Sequence, residues 1–181
     1  MKLTGLLVPL AIAGLVAALG WLWLPASGPA ASPDITLRSI DGRAISLKQL
    51  RGRPVLVTFW ATTCAGCLKE MPHLAELYRD LSPQGLEVIG IAMYYDPPSR
   101  VLALHKSRGI PYTVALDVQA DASRAFGNVR VTPTSFLIDP DGRIVYRNSG
   151  AMDLENVRRK ILDMIAKHNR TVPESGAGVT G

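Results

Sequence analysis

The chain has 181 residues, 48% of them apolar, and a net charge of +5. That length admits one domain of ordinary size plus appendages. The charge excludes a nucleic-acid-binding surface: the tightest basic set, Arg158-Arg159-Lys160, shares its predicted helix with Glu155 and Asp163, and no binding motif accompanies it.

Leu3 to Leu24 contain no charged side chain, and as a helix they would span roughly 33 Å, enough to cross a bilayer core. Lys2 precedes this stretch, and Trp21 and Trp23 lie at its far end, where amphipathic rings favour the membrane interface. The apolar core exceeds that of a cleaved signal peptide. Residues 1–24 are therefore expected to be a single transmembrane anchor, although the small residues Ala26, Ser27 and Gly28 keep cleavage open. Either fate leaves the rest of the chain outside the cytoplasm. Residues 25–33, rich in Pro, Ala, Ser and Gly, read as a linker.

Ile35–Arg38 and Ala44–Leu47 alternate around Asp41-Gly42 and predict a hairpin. Val55–Trp60 is an apolar run that predicts a buried strand, and Cys67–Leu81 has helical periodicity. Leu86–Met93 predicts a second buried strand. Asp96-Pro97-Pro98-Ser99 predicts a helix start, followed by a helix over Arg100–Ser107. A short strand, Tyr112–Leu116, and a short helix, Asp121–Phe126, come next. Ser135–Ile138 and Ile144–Tyr146 flank a turn at Pro140-Asp141-Gly142 and predict a second hairpin. Leu154–Ala166 predicts a helix, and residues 170–181 read as a flexible tail. Strands alternating with helices, closed by a hairpin and a helix, describe a three-layer α/β domain with a mixed central sheet over 34–169; the order of its strands cannot be read this way.

The two cysteines, Cys64 and Cys67, are the only ones present. They sit where the Val55–Trp60 strand gives way to the following helix. A helix N-terminus offers free N–H donors and about half a positive charge, which stabilises a thiolate, the nucleophile of disulfide exchange. A structural bridge across so small a loop would constrain little. A zinc site would need more ligands than His73, His105 and His168 supply at their spacing. At about 100° per residue, Met71, Leu74, Leu77, Tyr78 and Leu81 share the face of Cys67. Glu70 falls inside that apolar stripe, one turn from Cys67. Two readings of Glu70 stand: Pro72 kinks the helix and lets the carboxylate reach water, or the carboxyl is buried with a raised pKa and exchanges a proton with a cysteine sulfur.

The stretch Phe59-Trp60-Ala61-Thr62-Thr63-Cys64-Ala65-Gly66-Cys67, with Glu70 and Pro72 after it, resembles the active site of thioredoxin-fold proteins. More narrowly, it resembles the membrane-tethered TlpA/ResA-like thiol–disulfide oxidoreductases. The similarity spans about 34–167 and includes an N-terminal hairpin, an extra helix–strand insertion at 97–117 and Thr132-Pro133-Thr134-Ser135-Phe136-Leu137-Ile138-Asp139. The resemblance implies that Cys64 is the exposed nucleophile and Cys67 the buried resolving thiol. It implies that Pro133 is a cis-proline facing the disulfide, that Thr132 offers backbone to a substrate chain and that Trp60 packs beneath the site. It matches Glu70 to the acidic residue these proteins carry beside their cysteines. It also implies a bacterial inner-membrane protein with its catalytic domain outside the cytoplasm. Such a protein needs no cofactor beyond the cysteine pair, takes electrons from a membrane thiol carrier and reduces partners such as apocytochrome c or copper-site cysteines.

Three positions depart from the pattern. Thr58 stands where thioredoxin has a buried aspartate, Thr63 where a bulky residue is frequent before the first cysteine, and Ala65-Gly66 lacks the frequent proline. These bear on the reduction potential and so on the direction of electron flow. A disulfide-donating oxidase or isomerase is the nearest alternative. A copper chaperone would need a histidine on the active-site loops, and peroxiredoxins carry Thr or Ser where this chain has Ala61.

Overall fold

The computed structural model describes residues 29–171 and, ahead of them, Gly14. Gly14 aside, the expected anchor over 1–24 lies outside the described residues, as does 172–181 of the expected tail. Among the described residues, no helix is long and apolar enough to cross a membrane.

Within residues 29–171, seven strands form one sheet: β1 (Thr36–Ser39), β2 (Ala44–Ser46), β3 (Val55–Trp60), β4 (Glu87–Ala92), β5 (Thr113–Leu116), β6 (Thr134–Ile138) and β7 (Ile144–Ser149). The α-helices of the same stretch are α1 (Ala65–Leu81), α2 (Pro98–Arg108), α3 (Asp121–Ala125) and α4 (Leu154–Thr171). The strand order is β2-β1-β5-β4-β3-β6-β7. β3, β4 and β5 run parallel, linked through α1 and α2, whereas β6, β7 and the β1–β2 hairpin are antiparallel to their neighbours. The mixed sheet thus places the first hairpin on the edge of β5, with Arg38 opposite Leu116.

β3 is buried along its whole length, as a strand covered on both faces must be. Its period-two alternation divides the core. Leu56 and Trp60 join Val88, Val114 and Leu137 under α1, α2 and α4. Val55, Val57 and Phe59 join Ile89, Ile91 and Phe136 on the opposite face, beneath α3. There Phe59, Phe126 and Phe136 pack with ring centroids 4.8–6.0 Å apart. On α4, Val157, Ile161 and Ile165 recur at helical spacing and are all buried. Helices on both faces of a mixed sheet give the predicted three-layer α/β, thioredoxin-like fold.

Several boundaries differ from the sequence reading for local reasons. α4 continues to Thr171 because no breaker precedes Pro173, and Arg170 Nε donates to Ala166 O at 3.1 Å. The end of the expected linker is pinned: Ile144 N donates to Ala30 O and Ser32 N to Gly142 O, with Ala31 bridging Arg143. Asp96 does not cap α2; the N-cap is Pro97, which makes no side-chain bond there. α1 starts at Ala65, two residues before the expected start at Cys67.

Pro72 sits inside α1 without ending it. Proline has no N–H to give the carbonyl four residues back, which here is Leu68 O. Arg108, from the last turn of α2, donates Nη1 to Leu68 O at 3.2 Å. The contact replaces the missing helix bond and ties α2 to α1. Arg108→Met is expected to destabilise the fold by roughly 0.5–1 kcal/mol, the net worth of one exposed hydrogen bond. Urea unfolding checks this through a lower midpoint with an unchanged slope. Adding Pro72→Ala to that variant supplies the missing N–H and should recover the loss.

Candidate active site

β3 ends at Trp60, opposite Ala92 of β4. The chain then turns: Cys64 N donates to Ala61 O at 3.1 Å. Cys64 takes the N-cap of α1 with extended φ −87° and ψ 101°, and Cys67 N donates to Cys64 Sγ at 3.1 Å. The two sulfurs form a disulfide with Cα atoms 5.3 Å apart. Cys64 is half-buried, flanked by exposed Thr63, Ala65 and Gly66, whereas Cys67 is only 3% exposed. The pair is therefore asymmetric, with one sulfur open to a partner and one sheltered.

Two of the other predicted site residues, Thr132 and Pro133, reach this turn from far along the chain, while Trp60 and Glu70 flank the cysteines in sequence. The Thr132–Pro133 peptide is cis. A Cβ built on Gly66 would lie 3.6 Å from Pro133 Cδ, so the proline ring faces the loop between the cysteines. Gly150 N donates to Pro133 O at 2.8 Å, and Thr134 Oγ1 donates to Val131 O at 2.8 Å. The first bond ties the proline loop to the end of β7, and the second braces the loop internally. Thr132 is half-buried and Pro133 buried. Trp60 is buried in the same apolar cluster as Cys67, with Cys64 packed at its edge. Its ring lies over Gly90: an added Cβ there would meet Trp60 Nε1 at 3.1 Å and Tyr112 Cε2 at 3.2 Å. A side chain at this position would press on both rings.

Glu70 is buried, at 8% exposure, within the apolar face of α1. The kink reading is set aside, because the carboxylate turns inward. Its Oε1 accepts from Met152 N at 2.7 Å, across the loop between β7 and α4. Burial raises the Glu70 pKa; the Met152 N–H and the nearby His73 oppose that rise. Tyr112 is pushed up by burial first and by Glu70's charge second, so it stays a phenol. Tyr146 is raised mainly by burial.

One residue missed by sequence reasoning grips the cysteine turn. Asp96, 6% exposed, follows β4. Its Oδ2 accepts from Thr62 N and its Oδ1 from Thr62 Oγ1, both at 2.6 Å. The Asp-Pro-Pro-Ser pattern mimics a helix start, so nothing local marks Asp96 as a partner of the cysteine turn. Thr58, the departure from thioredoxin, is buried and accepts from Ser135 Oγ at 3.0 Å.

The family profile of AhpC/TSA matches residues 30–147. The chain is 32% identical over 130 residues to the thiol-disulfide oxidoreductase ResA of Geobacillus thermodenitrificans, covering 72% of this chain and 74% of that protein. Against ResA of Bacillus anthracis it is 33% identical over 129 residues, covering 70% and 72%. Among solved structures, it resembles a thioredoxin-family thiol:disulfide interchange protein from Chlorobium tepidum with a TM-score of 0.70 and 26% identity, covering 78% of this chain and 99% of that one. The thioredoxin domain of a thiol-disulfide oxidoreductase from Bacteroides vulgatus matches with a TM-score of 0.64 and 26% identity, covering 75% and 98%. Fold, cysteine pair and relatives agree: the chain belongs to the AhpC/TSA family and, within the thioredoxin superfamily, is a TlpA/ResA-like thiol–disulfide oxidoreductase.

Proposed function

We propose that this oxidoreductase reduces disulfides in partner proteins outside the cytoplasm, held at the membrane by residues 1–24. The observation that carries the reading is the asymmetric pair: an accessible Cys64 at a helix N-cap, bridged to a buried Cys67, with Pro133 across from the loop between them. Cys64 thiolate attacks one sulfur of the partner's disulfide. That bond breaks, a mixed disulfide forms and the partner's other sulfur leaves as a thiolate. Cys67 gives up its proton to Glu70 and attacks Cys64 Sγ. The partner leaves as a dithiol, two electrons have moved to it, and the 64–67 disulfide remains. The electrons travel through the cysteine pair alone, and a membrane thiol carrier restores the dithiol. Thr132 and Pro133 present backbone to the partner's chain, and Trp60 supports the site from below.

Apolar exposure at the same end of the sheet supports a polypeptide substrate. Tyr94 and Tyr95 follow β4, Val118 follows β5 and Val131 precedes the cis-proline, and all four are exposed. Apolar side chains gathered on a water-facing surface mark a place where another protein docks. The family resemblance puts apocytochrome c and copper-site cysteines among the partners. In an oxidising compartment, such thiols need a dedicated reductant before haem or metal arrives.

Cys67→Ser is expected to trap a covalent adduct between Cys64 and its partner, seen as a band that dithiothreitol removes and that mass spectrometry identifies. An adduct from Cys64→Ser instead would reverse the two sulfur roles. The potential gives the direction: a value near about −270 mV supports a reductant, and one near about −120 mV supports the disulfide-donating alternative.

Glu70 has its own signature. Its folded pKa is raised, so the folded state prefers the protonated carboxyl. The stability it lends is complete below the unfolded carboxyl pKa and is lost as pH rises through the folded one. Oxidised Glu70→Gln is therefore expected to melt a few degrees above wild type at pH 7, with the gap closing near pH 4. Equal melting temperatures at both pH values would sink the assignment of a desolvated carboxyl.

A further inference from the structure

We infer that Asp96 is a positioning residue: by clamping Thr62, it fixes the turn that holds Cys64 as the cap of α1. The inference rests on Cys64 being the attacking sulfur. Asp96 is itself fastened to the sheet. Its N–H donates to Met93 O at 2.9 Å, and Met93 N donates to Trp60 O at 3.0 Å, extending the β3–β4 pairing one residue past the strands. From this base the carboxylate takes both donors that Thr62 offers, N–H and Oγ1–H, at 2.6 Å each. Two residues on, Cys64 has its N–H engaged by Ala61 O and its carbonyl by Leu68 N at 3.1 Å. The segment 61–64 is thereby held at Ala61, at Thr62 and at Cys64.

This clamp decides where the Cys64 sulfur sits relative to the Cys67 N–H, 3.1 Å away in the oxidised protein. In the reduced protein the same donor and the helix N-terminus would meet the thiolate. A turn freed at Thr62 lets the cap fray, and the thiolate loses those donors to water. Hydrogen bonds to a carboxylate are short and directional, and a two-point grip on one residue suits orientation. The alternative role for Asp96 is a bystander charge whose field disfavours the thiolate. The two roles predict opposite signs when the carboxylate is removed.

The test measures the pH dependence of Cys64 alkylation by iodoacetamide in the reduced full-length protein, with peptide mapping to assign the label. Lys69, Glu70 and His73 on α1, Arg108 on α2 and Arg130 ahead of the cis-proline stay constant in every variant. In Asp96→Ala the midpoint is expected to rise by about one pH unit, a tenfold loss of thiolate below it. Thr62→Val deletes only the hydroxyl and keeps the test decisive should Asp96→Ala fail to fold; its midpoint should also rise. The double variant should rise no further than Asp96→Ala alone, since that change already removes the bond Thr62→Val cuts. Thr62→Ser, which restores the hydroxyl, should restore the midpoint. A midpoint that falls in Asp96→Ala, or stays at the wild-type value in Thr62→Val, overturns the inference. Label on Cys67 rather than Cys64 in the wild type overturns the assignment of the attacking sulfur and this inference with it. Label on Cys64 with unmoved midpoints overturns this inference alone.

Discussion

Cys64 can cap α1 only because β3 stops where it does. A strand buried on both faces must keep its hydrogen bonds to the last residue, and β3 does so up to Trp60, whose carbonyl takes Met93 N. Past that point the neighbouring ladders no longer hold the chain, and a tight turn from Ala61 to Cys64 redirects it. The first N–H groups of α1 then have no carbonyl behind them. One of them, Cys67 N–H, is aimed at sulfur. A disulfide sulfur is a poor acceptor and a thiolate a strong one, so the geometry matters most in the state that reacts. The reactive pair is thus a consequence of how a buried strand hands over to a helix.

Everything else in the site is attached to that junction from a distance. Met152 N reaches Glu70 across 82 residues, Asp96 reaches Thr62 across 34, and Gly150 N holds the carbonyl of Pro133. Each tie uses a backbone N–H that a turn or loop leaves unpaired, and each satisfies a polar group inside an apolar setting. An unpaired buried donor or acceptor costs about 1–3 kcal/mol, so these contacts bind the loops and turns tightly to their neighbours, α1 among them. At the exposed gap Pro72 leaves in α1, a side chain takes this part instead: Arg108 donates to Leu68 O.

That rule also explains what could be read from the chain alone. β3 is a continuous apolar run, α1 a pattern of period 3.6 and the cysteine pair a fixed local spacing, and all three emerge without reference to the rest. The helical wheel placed Glu70 among Leu77 and Leu81, where it is buried. It could not supply Met152, because a loop N–H has no periodicity to detect. Asp96 was hidden by its own neighbourhood: Asp-Pro-Pro-Ser satisfies every local criterion for a helix start. Pro133 looks like any turn proline until its isomer and its place opposite Gly66 are known; only the family resemblance pointed to it. The position of the first hairpin on β5 depends on a pairing of Arg38 with Leu116, which no local signal encodes.

The competition between two fields bears on which way electrons move. The N-terminus of α1 favours thiolate at Cys64, and stabilised thiolate favours the reduced pair, as in strong oxidants. Glu70 acts the other way. A buried carboxyl one turn beyond Cys67 opposes a second negative charge nearby, and its raised pKa records how unwelcome charge is there. With Thr58 in place of a buried acid on β3, Glu70 is the carboxyl on the Cys67 face of α1. The two influences fall on different sulfurs: the helix terminus acts at the accessible Cys64, and the buried carboxyl sits on the face of the sheltered Cys67. The reduction potential of the pair reports which of them prevails.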